Sequence, residues 1–243
     1  MYYHEPILPT GKDNLFYLAP IPLYMKIFDD DDLQDSVFNL GLNLLNKDQQ
    51  LMGQELPDQY DIERQKNYKI NYDRKEMWSE KTEYSPIGSR FSVPPNDFLN
   101  TDNEHVRTIK KRCEDGFLEL VNSLGIGHNN NPLITESWLQ YYGPTEGRGH
   151  NQHNHCRWSP DEETGLNLAG GYYLNDGDPL SDHPYSGVFT FHIRGISYFL
   201  RPKKGMLMIW PHDIVHSVKP FYGKTFRSVI NFNIQDGPQL LGI

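Results

Sequence analysis

The chain has 243 residues, 37% of them hydrophobic and 13% aromatic, and a formal net charge of -9. That length suits a single large domain with a sizeable core, and the acidic balance argues against nucleic acid as a partner. No apolar run approaches the roughly 18 residues a bilayer span needs, the first residues lack the blocks of a secretory leader, and two cysteines make no disulfide framework, so a cytoplasmic location is expected.

In chain order, Leu18 to Phe28 predicts a strand with a proline-marked start. It runs into the acidic stretch Asp29–Asp32, whose carboxylates suit the N-terminus of a helix. Leu33, Val37, Leu40 and Leu44 recur at helical spacing and predict a helix to about Asn46. Residues 47–103 are polar with scattered Pro and Gly, the texture of an irregular insertion, arm or lid. A second helix is marked by Val106, Ile109, Cys113, Phe117, Leu120 and Leu124, with Gly125 as its C-terminal cap. On that face Cys113 reads as a core thiol.

After Gly127 the texture changes. "ITESWLQYY", "LNLAGGYYLN", "GVFTFHIRG", "ISYFLRP", "GMLMIWP" and "FRSVINFNI" are short, aromatic and β-branched, and turn-forming segments such as "NDGDPLSDHPYSG" and "RPKKG" separate them. Such a series predicts a sandwich or jelly roll. The expected class is α+β: one domain over 1–243, with a helical part (1–127) buttressing a jelly-roll core (128–243).

The stretch "GHNQHNHCRW" concentrates three of the ten histidines. If it is a strand, His153 and His155 share one face, while Asn154 and Cys156 point away. Alone, the pair reads equally well as a solvated turn. His216 follows the strand "GMLMIWP", and a jelly roll folds that region back beside residue 153. His212 is a rival, but beside Pro211 it reads as an exposed turn residue. Three imidazoles on neighbouring strands could bind one metal facially and leave the opposite side open. Arg227, eleven positions after His216, lies among Phe226, Val229, Ile230 and Phe232. Either it is a surface arginine on an edge strand or it points inward, where a guanidinium is costly unless it meets an anion, and a carboxylate suits its fork. His150 reads as a loop residue, solvated or bordering the pocket, His183 as an exposed turn residue, and His192 as a strand residue facing solvent, a side-chain partner or the pocket.

From about Trp138 to Ile234 the series resembles the Fe(II)- and 2-oxoglutarate-dependent oxygenases, particularly the prolyl-hydroxylase-like group. "QYYGP" is similar to the strand and turn before that family's first iron ligand, and "HNH" stands at its H-x-D/E position. "YYLND", "SGVFTF" and "LRPKKGMLMIWP" resemble successive core strands, and "HSVKPFYGKTFRS" the distal histidine with the basic residue that holds the cosubstrate. No single motif is specific; their order is. "LAPIPLYMKIF" also resembles the start of small bacterial and phage oxygenases of this superfamily.

The resemblance implies a double-stranded β-helix, with Fe(II), 2-oxoglutarate and dioxygen as cofactor and cosubstrates. It implies iron ligands at His153 and His216, an Arg227 paired with the distal carboxylate of 2-oxoglutarate, a Tyr173 hydroxyl on that same carboxylate, and Tyr142 near the chelating end. The implied reaction releases succinate and CO2 while hydroxylating a small-molecule or protein substrate. A homodimer through an exposed sheet edge is also open.

The chain departs from the family at His155, where a carboxylate is usual. Three imidazoles leave a divalent iron at about +2 rather than about +1. His155 is then the third ligand, or a water takes its place, or a carboxylate arrives from Asp161, Glu162 or Glu163. Its bulk disfavours the open position a halogenase needs. Two other readings stand beside the oxygenase: a three-histidine cupin-type dioxygenase that uses no 2-oxoglutarate, and a non-enzymatic jelly-roll binding module.

Overall fold

A computed structural model describes residues 15–18, 21–51, 90–93, 97–143, 148–155 and 166–237. Strands β1 (Leu15–Leu18) and β2 (Ile21–Ile27) lead into helix α1 (Asp31–Leu51). Strand β3 (Arg90–Val93) and a 3-10 turn (Phe98–Asn100) precede helix α2 (Glu104–Ser123). The remaining strands are β4 (Pro132–Tyr142), β5 (Arg148–His153), β6 (Asn167–Asp176), β7 (Phe189–Ile193), β8 (Ile196–Leu200), β9 (Met206–Pro211), β10 (His216–Phe221) and β11 (Arg227–Asp236).

These strands form a seven-stranded sheet, β1-β2-β9-β6-β11-β4-β3, and a four-stranded sheet, β5-β10-β7-β8. Among the described residues every strand pairing is antiparallel. The expected α+β class and jelly-roll core are present. Both helices pack on one face of the large sheet, and the small sheet covers the other.

Period-two alternation divides the central strands between two cores. On β9, Leu207 and Ile209 face the helices with Val37, Ile109 and Phe117, while Met206, Met208 and Trp210 face the small sheet with Phe189 and Phe191. On β6, Tyr172 faces the helices and Tyr173 the small sheet. Strands buried on both faces carry uninterrupted apolar runs, which is why "MLMIW" shows no polar alternation.

The helix ends follow their sequence signals. The Asp30 carboxylate accepts from the Leu33 amide at 3.4 Å, and Asp31 and Asp32 occupy the first turn of α1. The Asn103 side chain accepts from the amides of His105 and Val106 to open α2. Gly125, at φ 65, closes it. Cys113 is fully buried. On α2, Gly116 lets the helix approach the sheet: a Cβ there would lie 2.9 Å from the Tyr24 ring and 3.0 Å from Leu207. Further along, Arg112 donates to the Tyr172 hydroxyl at 2.8 Å and pairs with Asp30 at 2.6 Å.

Three expectations need correction. The predicted strand Leu18–Phe28 is the shorter β2, and a further strand, β1, comes before it and pairs with it. Helix α1 continues past Asn46 to Leu51. Residues 47–103 are not uniformly irregular: β3 extends the large sheet beside β4, and Phe98 and Leu99 are buried against the helices. The rest of that range, 52–89 and 94–96, lies outside the described residues.

Candidate metal centre

His153 ends β5 and His216 begins β10, and the two are direct partners in the antiparallel ladder. A shared register position points both rings into the space between the sheets, 4.2 Å apart. His155 joins them, its ring 5.5 Å from His153 and 5.0 Å from His216. One ring nitrogen from each histidine lies within 4.8 Å of the others, and among the described residues no carboxylate joins the group.

Strand alternation is not what brings His155 in, because β5 stops at His153. The His155 amide donates to the His212 carbonyl at 2.9 Å, tying the chain to the turn before β10. The rival His212 stays outside the cluster. Its ring Nδ1 donates to the Asn167 carbonyl at 2.7 Å, so it is partly buried and not the exposed residue expected.

Each of the three Nδ1 atoms faces an oxygen acceptor. His153 meets the Asn151 carbonyl at 2.8 Å, His216 the Ile214 carbonyl at 2.9 Å, and His155 the Asn233 side-chain oxygen at 2.6 Å. A neutral imidazole that donates from Nδ1 keeps its lone pair on Nε2, the tautomer a metal ligand requires. Burial, and then the neighbouring His153 and His155, push the pKa of His216 down to about 2, so it stays uncharged. Phe189 stacks on His216 at 5.1 Å and Trp210 meets it edge-on at 5.1 Å. Three imidazole nitrogen donors in a half-apolar hollow fit a divalent first-row metal such as iron.

Arg227 opens β11 on the same inward face, and its side chain is 2% exposed. It donates to the Tyr173 hydroxyl at 3.3 Å, and its guanidinium lies 4.9 Å from the Tyr142 ring centre and 5.1 Å from that of Tyr173. Its Nε and Nη1 are buried and have no hydrogen-bond partner among the described residues. A buried cation with two unsatisfied donors is a built demand for an anion. Gly187, at φ 62, packs beside it: a Cβ there would press on the Phe221 ring at 2.9 Å and touch the arginine Cδ at 3.4 Å. Burial, opposed by Arg227, pushes the Tyr173 phenol up to about 12, so its hydroxyl stays protonated. Tyr142 donates to Gln140 at 3.0 Å.

Of the other histidines, His192 has side-chain partners, Ser217 at 2.8 Å and Ser197 at 3.2 Å. Two readings change. His150 is no loop residue but part of β5, with its ring 3.9 Å from that of His153. His183 is partly buried and stacks on Tyr222 at 4.2 Å instead of standing in solvent. Cys156, Asp161, Glu162 and Glu163 lie outside the described residues.

Sequence reasoning missed the polar residues beside the cluster. Asn231 donates to Gln140 at 3.2 Å and Asn233 to Glu136 at 3.0 Å, both pairs on the inner faces of β4 and β11. The signal was available: alternation from Arg227 places Val229, Asn231 and Asn233 on the arginine's own face.

No protein-family model matches the chain, and no curated protein matches it. Solved structures do. A Pseudomonas putida prolyl-4-hydroxylase is similar with TM-score 0.52 and 15% identity, over 91% of this chain and 96% of its own. A Trichoplax adhaerens prolyl hydroxylase, solved with a hypoxia inducible factor peptide fragment, gives 0.51 and 16% over 88% and 83%. A viral collagen prolyl hydroxylase of Paramecium Bursaria Chlorella virus-1, solved as a 2OG complex, gives 0.51 and 12% over 89% and 96%. The fold is therefore that of the 2-oxoglutarate/Fe(II) oxygenases. The prolyl hydroxylases named above are among the structures that share this fold.

Proposed function

We propose that the protein is an Fe(II)- and 2-oxoglutarate-dependent dioxygenase that hydroxylates a substrate with release of succinate and CO2. The single observation that carries this reading is Arg227, a buried guanidinium with two donors unpaired among the described residues, on the inward face that also receives the three histidines. A dicarboxylate satisfies both halves at once: one end meets Arg227 and the Tyr173 hydroxyl, the other faces the metal. In this reading His153, His155 and His216 hold the iron.

When bound, the iron supplies the oxidative chemistry. The chain's own residues set the conditions for it. The Nδ1 acceptors fix the ring tautomers. Phe189, Phe191, Trp210 and Val218 exclude water from the hollow. The protonated Tyr173 donates to the cosubstrate carboxylate without adding negative charge. A peptide is one substrate consistent with the reading, because the Trichoplax neighbour was solved with a peptide fragment.

Anaerobic titration of the full chain with Fe(II) and then 2-oxoglutarate tests the proposal. A visible charge-transfer band is expected at one equivalent of each, lost in His153→Ala and His216→Ala. Arg227→Ala is expected to bind Fe(II) but to need far more 2-oxoglutarate. Succinate release by Arg227→Ala at the wild-type rate and half-saturation would remove the role given to this arginine.

The absence of a carboxylate from the histidine group, among the described residues, favours a second reading: a three-histidine dioxygenase in which Arg227 holds a substrate carboxylate. Substrate-driven oxygen uptake indifferent to 2-oxoglutarate would select it.

A further inference from the structure

Glu136 and Asn233 are direct partners in the β4–β11 ladder, next to an irregularity between Asn233 and Ile234. Both side chains are partly buried, as is His155. The Asn233 amide nitrogen donates to Glu136 Oε2 at 3.0 Å, and its oxygen faces His155 Nδ1 at 2.6 Å. A carboxylate accepts only, so the amide must present nitrogen to Glu136 and oxygen to the imidazole. The imidazole must then carry its proton on Nδ1. One anion thus sets the orientation of the amide, the tautomer of the ring, and the nitrogen left to face His153 and His216. Trp138, 5.7 Å from His155, and Trp210, 6.4 Å away, flank the ring.

The other two rings donate to neutral backbone carbonyls. His155 instead donates through an amide to an ionised group, and it stands where a coordinating carboxylate would otherwise bring a negative charge. We propose that Glu136 is a positioning residue that acts through Asn233 to restore part of that charge. It strengthens the hydrogen bond at His155 Nδ1, holds the ring in the tautomer that leaves Nε2 to a metal, and thereby tightens metal binding. This inference rests on the three-histidine metal centre proposed above.

The test uses the full chain and Co(II), whose visible bands report ligand strength without turnover. Glu136→Gln keeps an oxygen that can accept from Asn233 but removes the charge. It is expected to weaken Co(II) and anaerobic Fe(II) binding by about 10-fold or more and to shift the Co(II) bands. Combining it with Asn233→Asp moves the carboxylate one residue inward, directly onto His155 Nδ1, and is expected to recover most of the lost affinity. Circular dichroism identifies any variant that fails to fold, and the pair of variants keeps the comparison internal. Equal affinity and an unchanged spectrum in a folded Glu136→Gln protein overturn the relay and leave the metal centre standing. A wild-type chain that takes up neither metal overturns both.

Discussion

Arg227 shows how strongly a single buried charge constrains a site. Its Nη2 has a hydroxyl and its flanks have two aromatic faces, but Nε and Nη1 have no hydrogen-bond partner among the described residues. Each unsatisfied donor costs about 1–3 kcal/mol, so an anion that reaches both recovers a substantial free energy. In the proposed 2-oxoglutarate complex the Tyr173 hydroxyl adds a smaller share, as one neutral donor beside the charged donors of the guanidinium. Tyr173→Phe should therefore raise half-saturation for 2-oxoglutarate about 5-fold, equivalent to roughly 1 kcal/mol. Steady-state succinate release against cosubstrate concentration measures this, and an unchanged half-saturation would show that the hydroxyl serves packing instead.

Between helix and sheet, and between neighbouring strands, the packing depends on missing side chains. A Cβ on Gly170 of β6 would meet the Phe232 ring at 2.2–2.7 Å, and one on Gly116 of α2 would press on Tyr24, Leu207 and Ile209. Gly170→Ala and Gly116→Ala should each lower stability by about 1–3 kcal/mol, read as a shift in urea midpoint at constant slope. An unchanged midpoint in Gly170→Ala would mean that Phe232 has room to rotate away. At this scale much was legible in advance. The second helix is spelled out by Val106, Ile109, Cys113, Phe117 and Leu120, and the β strands by their aromatic runs and turns. Convergence of His153 and His216 followed from topology, because jelly-roll return pairs those two strands. What sequence could not supply was long-range hydrogen bonding. His155 is drawn in by the carbonyl of His212, and Asn233 is held by Glu136 across a strand, 97 positions away. Such partners leave no periodic trace.

For the molecule as a whole, the buried His216 links the site to acid stability. Its pKa falls from an ordinary 6.5 to about 2 on folding. The unfolded chain therefore binds more protons between those values, and stability falls as pH falls below about 6.5. In chelator-treated protein, going from pH 7 to 5 should cost about 2 kcal/mol through this one group. His216→Gln should show a correspondingly shallower loss of urea midpoint over that window. Equal slopes in the two proteins would mean that the folded state accepts the proton at no penalty.

Tyr172 and Tyr173 stand side by side on β6 yet serve opposite layers: one hydroxyl receives Arg112 from the helices, the next receives Arg227 from the hollow. The pair works as a register lock. Sliding β6 by a single position would turn each phenol to the wrong side and strand two guanidinium groups together. Insertion or deletion of one residue between Leu168 and Tyr172 should then abolish folding outright, whereas the same change in the turn after Asp176 should be absorbed.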